Sequence, residues 1–223
     1  MLNNLPSNST GRSSGTILKS ELFTSSGTWT KSAKMAGDDV WVTAIGGGGS
    51  GANSASARSA GDGGEYAYRK AIDVSATSSE TVTIGAGGAN QTTTSTDGSS
   101  GGVTSLGSLL SVSGGFAGQV DLAADDSGSY TGGARGGHDN EPLGQDNPCP
   151  LGGVGGRSNA NTAGGGGGLV LDESGTTGGR GATTSLGYGG TGYGGGGGVG
   201  RNTAEGSGAG ADGAMLIEWM ETL

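Results

Sequence analysis

With 223 residues, 55 of them glycine and only 30% hydrophobic and 4% aromatic, the chain carries too little apolar matter for one conventional core of its size. A formal net charge of −9 disfavours nucleic acid, which needs a basic footprint, and direct adhesion to bare anionic lipid. A single cysteine, Cys149, rules out an intrachain disulfide, and no run of about 18 apolar residues marks a membrane span.

Residues 1–20 are polar with little periodicity and read as a tail or a connection to something else. They lack the charged and apolar regions of a signal peptide, so work outside a cell would follow release by another route, such as lysis. Residues 21–30 place β-favouring residues on both sides of Ser26-Gly27 and predict a hairpin. Residues 38–45 alternate as a strand, with Val40, Val42 and Ala44 on one face and Trp41, Thr43 and Ile45 on the other. That strand runs directly into glycine at 46–51.

A polar loop at 52–60 and a glycine return at 61–64 lead to a second long strand, 65–74. Residues 81–84 form a third, which enters glycine at 85–88. The loop 89–97 and another glycine return follow, and 103–112 predicts a tight hairpin about Gly107-Ser108. The first half thus repeats one unit: strand, glycine run out, polar loop, glycine run back, strand. From 114 to 213 only glycine runs and loops are expected. Residues 214–220 close the chain as a strand with Met215, Ile217 and Trp219 on one face, placed to complete the scaffold and protect a sheet edge.

Glycine is weak in helices and strands because it loses the most backbone entropy on ordering. Runs such as 46–51, 132–137, 152–156, 164–168, 178–181, 187–200 and 206–210 therefore read either as disordered linker or as a lattice in which the missing side chain is the point. Regular interruption by polar loops, and strands at both ends, favour the lattice. A polyproline-II-type helix has three residues per turn and no internal hydrogen bonds. Side by side, such helices admit only glycine where backbones nearly touch. Runs 164–168 and 194–198 suit an interior helix, and 152–156, with Val154 facing out, a surface one. A return to the same scaffold needs an even number of glycine segments, whereas seven runs lie between 112 and 214. The expected resolution is two segments within 187–200, parted near Tyr193. The expected fold class is all-β plus polyglycine-II: a small β-sandwich carrying a stacked bundle of antiparallel polyglycine-II helices with apical loops. The expected division is a tail at 1–20, the β scaffold at 21–112 with 214–223, and the lattice at 113–213.

Phe23-Thr-Ser-Ser-Gly-Thr-Trp-Thr30, Val40-Trp-Val-Thr-Ala-Ile-Gly-Gly-Gly-Gly49, Gly64-Glu-Tyr-Ala-Tyr-Arg-Lys70, Val82-Thr-Ile-Gly-Ala-Gly-Gly88 and Gly102-Val-Thr-Ser-Leu-Gly-Ser-Leu-Leu110 resemble the glycine-rich receptor-binding domains of phage tail fibres. The glycine field beyond them is similar to the tail-fibre-tip adhesins of T-even-like phages. Residues 31–38 depart from the Val-Pro-Ala-Gly-like turn of that pattern. The resemblance implies a virion protein acting outside the cell. Its apical loops would grip a host outer-membrane protein or lipopolysaccharide, and its N-terminus would join the rest of a tail fibre. Nucleic acid and membrane insertion form no part of it. A bacterial surface adhesin of the same fold, or an ice-binding protein presenting a flat face, are the other classes considered.

No catalytic set stands out, and no enzyme, cofactor or metal is expected. His138 has neighbours Asp139, Asn140, Glu141 and Asp146, but neither a triad nor a calcium-loop spacing results. The 46–49 glycines follow a strand but lack the Lys-Ser/Thr of a phosphate loop. Recognition is therefore expected in the loops remote from the strands, 52–60, 89–97 and 119–130. These carry Asn53, Arg58, Asn90, Gln91, Asp121, Asp125, Asp126 and Tyr130, with Tyr188 and Tyr193 as aromatic anchors in the glycine field.

Overall fold

The computed structural model describes residues 15–54, 60–120, 187, 189–190, 192–200 and 206–223. Among these residues the fold is all-β, with no helix. The strands are β1 (Thr16–Phe23), β2 (Gly27–Thr30), β3 (Asp39–Ile45), β4 (Tyr66–Asp73), β5 (Ser79–Thr83), β6 (Thr104–Leu106), β7 (Leu110–Val112) and β8 (Ala214–Thr222). They form two antiparallel four-stranded sheets, ordered β1-β8-β3-β4 and β2-β5-β6-β7.

Both sheets contribute to one apolar cluster. Val40, Val42, Ile72, Met215 and Ile217 come from the first sheet, and Trp29, Val82, Leu106 and Val112 from the second. Trp29 meets Trp219 edge to face, with ring centroids 6.2 Å apart and planes at 73°, the geometry that the ring quadrupoles favour. The alternation in β3 and β8 has its expected result: Val40, Val42 and Ala44, like Met215 and Ile217, are fully buried. At the far end of β3, Thr43 and Ile45 are buried as well, so both faces are covered where the strand enters glycine.

Three features differ from expectation. Residues 21–30 do not form a hairpin. β1 pairs with β8 and β2 with β5, so the chain passes between sheets at 24–26. The stretch read as a tail already contains the first half of β1, from Thr16. And β8, expected at an edge, lies inside its sheet between β1 and β3. The 31–38 connection, which returns the chain to the first sheet, is closed by Lys31. Its Nζ lies 2.6 Å from Asp38 Oδ1 and donates to the Val74 carbonyl at 3.1 Å. The hairpin about Gly107 forms as expected, with φ of 48° at that glycine.

Six of the described glycine segments lead directly out of or into a strand. Residues 46–51 continue β3 outward and 61–64 return towards β4. Residues 85–88 leave β5 and 98–102 approach β6, while 114–118 leave β7 and 206–213 approach β8. The 46–51 segment is buried throughout. Its N–H groups change partner with a period of three. Gly46 and Gly49 donate to Glu65 and Asp62 at 2.9 Å, Gly47 and Ser50 to Gly102 and Ser99 at 2.9 Å, and Gly48 and Gly51 to Ala211 and Gly208 at 2.9 and 3.1 Å. Its carbonyls follow the same period. Gly47 and Ser50 accept from Gly115 and Gly118, Gly49 and Ala52 from Gly197 and Gly200, and Gly48 from Gly88. All six N–H groups of 46–51 and the carbonyls of 47–50 are thereby satisfied without a conventional ladder, as burial demands.

Glycine is obligatory here for a local reason. A β-carbon on Gly47, Gly48 or Gly49 would run into the backbone carbonyl of Ala86, Gly195 or Phe116 respectively. The obstacle is main chain in each case, so no rotamer change relieves it. Ser50 is accommodated because its hydroxyl accepts the Ser99 N–H at 2.8 Å. Runs 164–168 and 152–156, with Val154, lie outside the described residues. Within 187–200 the chain does turn at Tyr193, between Gly192 and Gly194, both at φ 69°. Gly190 bonds Ala209 on the way in, whereas Gly194 bonds Asp212, and Gly195 and Gly198 accept from Ala211 and Gly208 on the way out.

Candidate functional site

The glycine segments carry their connecting loops to the end opposite the strands. Here 53–54, 89–97, 119–120 and 206–207 come together. Asn53 ends the central segment. Its N–H donates to the Thr96 carbonyl at 3.0 Å and its carbonyl accepts the Thr96 N–H at 3.1 Å, while its Nδ2 donates to the Gln91 carbonyl at 3.3 Å. Gln91 binds further. Its N–H donates to Ser207 Oγ and its carbonyl accepts the Ser207 N–H, both at 2.8 Å. Its Nε2 donates to Ser99 Oγ at 2.9 Å and to the Ala89 carbonyl at 3.1 Å. Asp97 Oδ1 accepts the Val120 N–H at 2.7 Å, tying 89–97 to the segment arriving from β7.

This clasp sorts the residues expected to bind. Asn53 is fully buried, so its side chain holds loops together and does not face outward. Gln91 is half-buried and its amide nitrogen is engaged within the fold. Asn90 is exposed, as expected of a displayed side chain. Tyr193 does not belong to this end. It packs half-buried against Ile45, Tyr66 and Ala214, where the strands meet the glycine segments, and serves as a lid there. Arg58, Asp121, Asp125, Asp126, Tyr130 and Tyr188 lie outside the described residues, as does the 138–150 loop.

Side chains that the sequence reading left unnamed complete the displayed surface: Thr92, Thr93, Ser95 and Asp97 are exposed beside Asn90. Ser95 holds a left-handed backbone at φ 58°, which fixes the tip of the loop. The surface offers hydroxyls, an amide and a carboxylate on a backbone already bonded at both ends. Such groups form directional hydrogen bonds to a polar ligand with little further ordering to be done. A further missed residue is Phe116, 76% exposed on the flank of the 114–118 segment. A lone aromatic inside a glycine run is the signal that marks it.

A family model described as a glycine-rich domain matches residues 24–220. No curated protein matches the chain.

Proposed function

We propose that this chain, which belongs to the glycine-rich domain family, is the receptor-binding adhesin at the tip of a phage tail fibre. In this reading a small β-sandwich is the base and the glycine segments are stacked antiparallel polyglycine-II helices. The loops at the far end grip a host outer-membrane protein or lipopolysaccharide. The protein binds and does no chemistry, and its place of action is the virion surface outside the cell.

The observation that carries the reading is the three-residue period of hydrogen-bond partners along 46–51. A helix with three residues per turn and outward-pointing backbone groups has that period. A scaffold held by main chain alone has no varied groups with which to tell one receptor from another. Specificity is a difference in affinities and therefore falls to the side chains of the loops. Those on 89–97 are short and polar, and suit sugar hydroxyls or the polar extracellular loops of a membrane protein.

The test is adherence of labelled protein to intact bacteria, including mutants lacking single outer-membrane proteins or sugar cores. Replacing Asn90, Thr92, Thr93 and Ser95 together by Ala should lower adherence at least tenfold, by analogy with the few dominant residues of other interfaces. Because Asn53 and Gln91 are left in place, the melting temperature should hold. Unchanged adherence to the permissive host would remove the 89–97 loop from the receptor site.

A further inference from the structure

The four sheet edges are finished differently. β2 has four residues and β7 three, too short to recruit another strand. β4 is broken where the pairing register shifts between Val42 and Ala44. There Arg69 takes a left-handed backbone at φ 44° and reaches Glu218, its Nε 3.3 Å from Oε2. Bulges and charges of this kind blunt an edge. β1 has no bulge, and its two charges, Lys19 and Glu21, are of opposite sign. It pairs with β8 in unbroken register over Thr16–Phe23, and no described strand lies on its other side. Ile17, Leu18 and Leu22 are 41%, 49% and 45% exposed.

The orientation of its backbone follows from one bond. The Leu223 N–H donates to the Gly15 carbonyl at 2.9 Å. Gly15 therefore faces β8, as do the odd-numbered residues of β1, because successive residues in a strand alternate. The even-numbered residues, Thr16, Leu18, Ser20 and Leu22, direct their N–H and C=O groups to the open edge. An antiparallel partner must oppose these with equally directed groups.

We infer that the partner is a second copy of β1, joined about a twofold axis at Ser20. In that register Ser20 faces Ser20 once, on the axis, and Leu18 faces Leu22, Lys19 faces Glu21 and Ile17 faces Phe23, each of these three pairs occurring twice. The sequence Ile17-Leu-Lys-Ser-Glu-Leu-Phe23 is thus complementary to its own reverse, as an isologous contact requires. Neighbouring permitted registers place Lys19 on Lys19 or Glu21 on Glu21, and like charges directly opposite are destabilising. Charge selects one alignment, and the apolar pairs supply attraction on both faces of the ribbon. The β1-β8-β3-β4 sheets of the two copies become one continuous sheet across the twofold.

Sedimentation of the full chain over a wide concentration range should show a reversible monomer–dimer equilibrium. Ser20→Pro removes an N–H aimed at the open edge and leaves the bonds to β8 intact, so it should abolish the dimer at unchanged melting temperature. Lys19→Glu should weaken dimerisation roughly tenfold or more, and Lys19→Glu with Glu21→Lys should restore it. In a Cys149→Ser background, Ser20→Cys should form an intermolecular disulfide, since opposed Cα atoms of a hydrogen-bonded pair lie about 5.5 Å apart. A chain that stays monomeric at every concentration overturns the inference. So does a dimer indifferent to Lys19→Glu, which would place the contact on another surface, even were Ser20→Pro to misfold.

Discussion

The two ends of this molecule are held together by opposite means. In the strand layer the backbone bonds within sheets, and side chains such as Trp29, Leu106 and Ile217 fill the space between them. In the glycine region few side chains fill the space, Ala60 and Val199 among them. Segment 46–51 is bonded on all sides by other main chain, and the segments lie so close that a β-carbon has nowhere to go. The first arrangement draws on apolar burial. The second depends on satisfying many buried amides at once, and an unmet one is costly. Substitutions should therefore have inverted effects in the two regions: loss of a side chain damages one, and gain of a side chain damages the other.

The largest effect is expected from Gly48→Val. The new side chain would meet the Gly195 carbonyl, with main chain on every side. The cost should exceed about 4 kcal/mol, in the range that only drastic lesions reach, and little folded protein should be recovered. Melting close to that of the parent would show that the segments can spread apart. In the strand layer, Leu106→Ala should cost about 2–5 kcal/mol through lost burial and the cavity it leaves. That protein should still fold, with a lower urea midpoint.

Smaller changes sharpen the contrast. Asn53→Ala removes the Nδ2 bond to Gln91 from a buried position, and about 1–3 kcal/mol is expected. Amide exchange should quicken at Gln91 and Ser207, where the loops are clasped, and hardly at all in β3. Uniform acceleration across the chain would mean that the clasp and the strand layer open as one unit. The smallest effect is one of pH. The Ser75 N–H, 2.7 Å from Asp73 Oδ1, together with the Ser75 hydroxyl, holds the Asp73 carboxyl below its ordinary value. A carboxylate whose pKa is depressed on folding stabilises fully above its unfolded value, and that gain fades as pH falls through the folded value. Asp73→Asn should therefore slightly lower the melting temperature at neutral pH and converge with the parent in acid, which flattens the acid limb of its pH profile. A change centred near neutrality would point to another group.

Much of the strand pattern was legible because it is local. Alternation in 38–45 and 214–220 and the Gly107-Ser108 turn each state their structure within a few residues. Partner choice was not. Residues 21–30 contain β-favouring residues and a good turn, which suit a hairpin and a crossing between sheets equally well; only the positions of β5 and β8 decide between them. At the candidate site, 89–97 was legible as a polar loop between glycine runs. That Asn53 turns inward while Asn90, Thr92 and Thr93 turn outward was not, since all are polar and flanked alike.

The sequence by itself determined where glycine had to stand and which residues alternate, because steric exclusion and side-chain period belong to each residue and its immediate neighbours. It also pointed to a turn near Tyr193, since an excursion that returns to its base needs an even number of segments. Tertiary structure alone decided that β8 lies inside its sheet, that β1 is left as the open edge, and that Tyr193 covers the strand end and not the loop end. These depend on which distant segments meet. Glycine runs that look alike in sequence differ only in the neighbours that their backbone hydrogen bonds find.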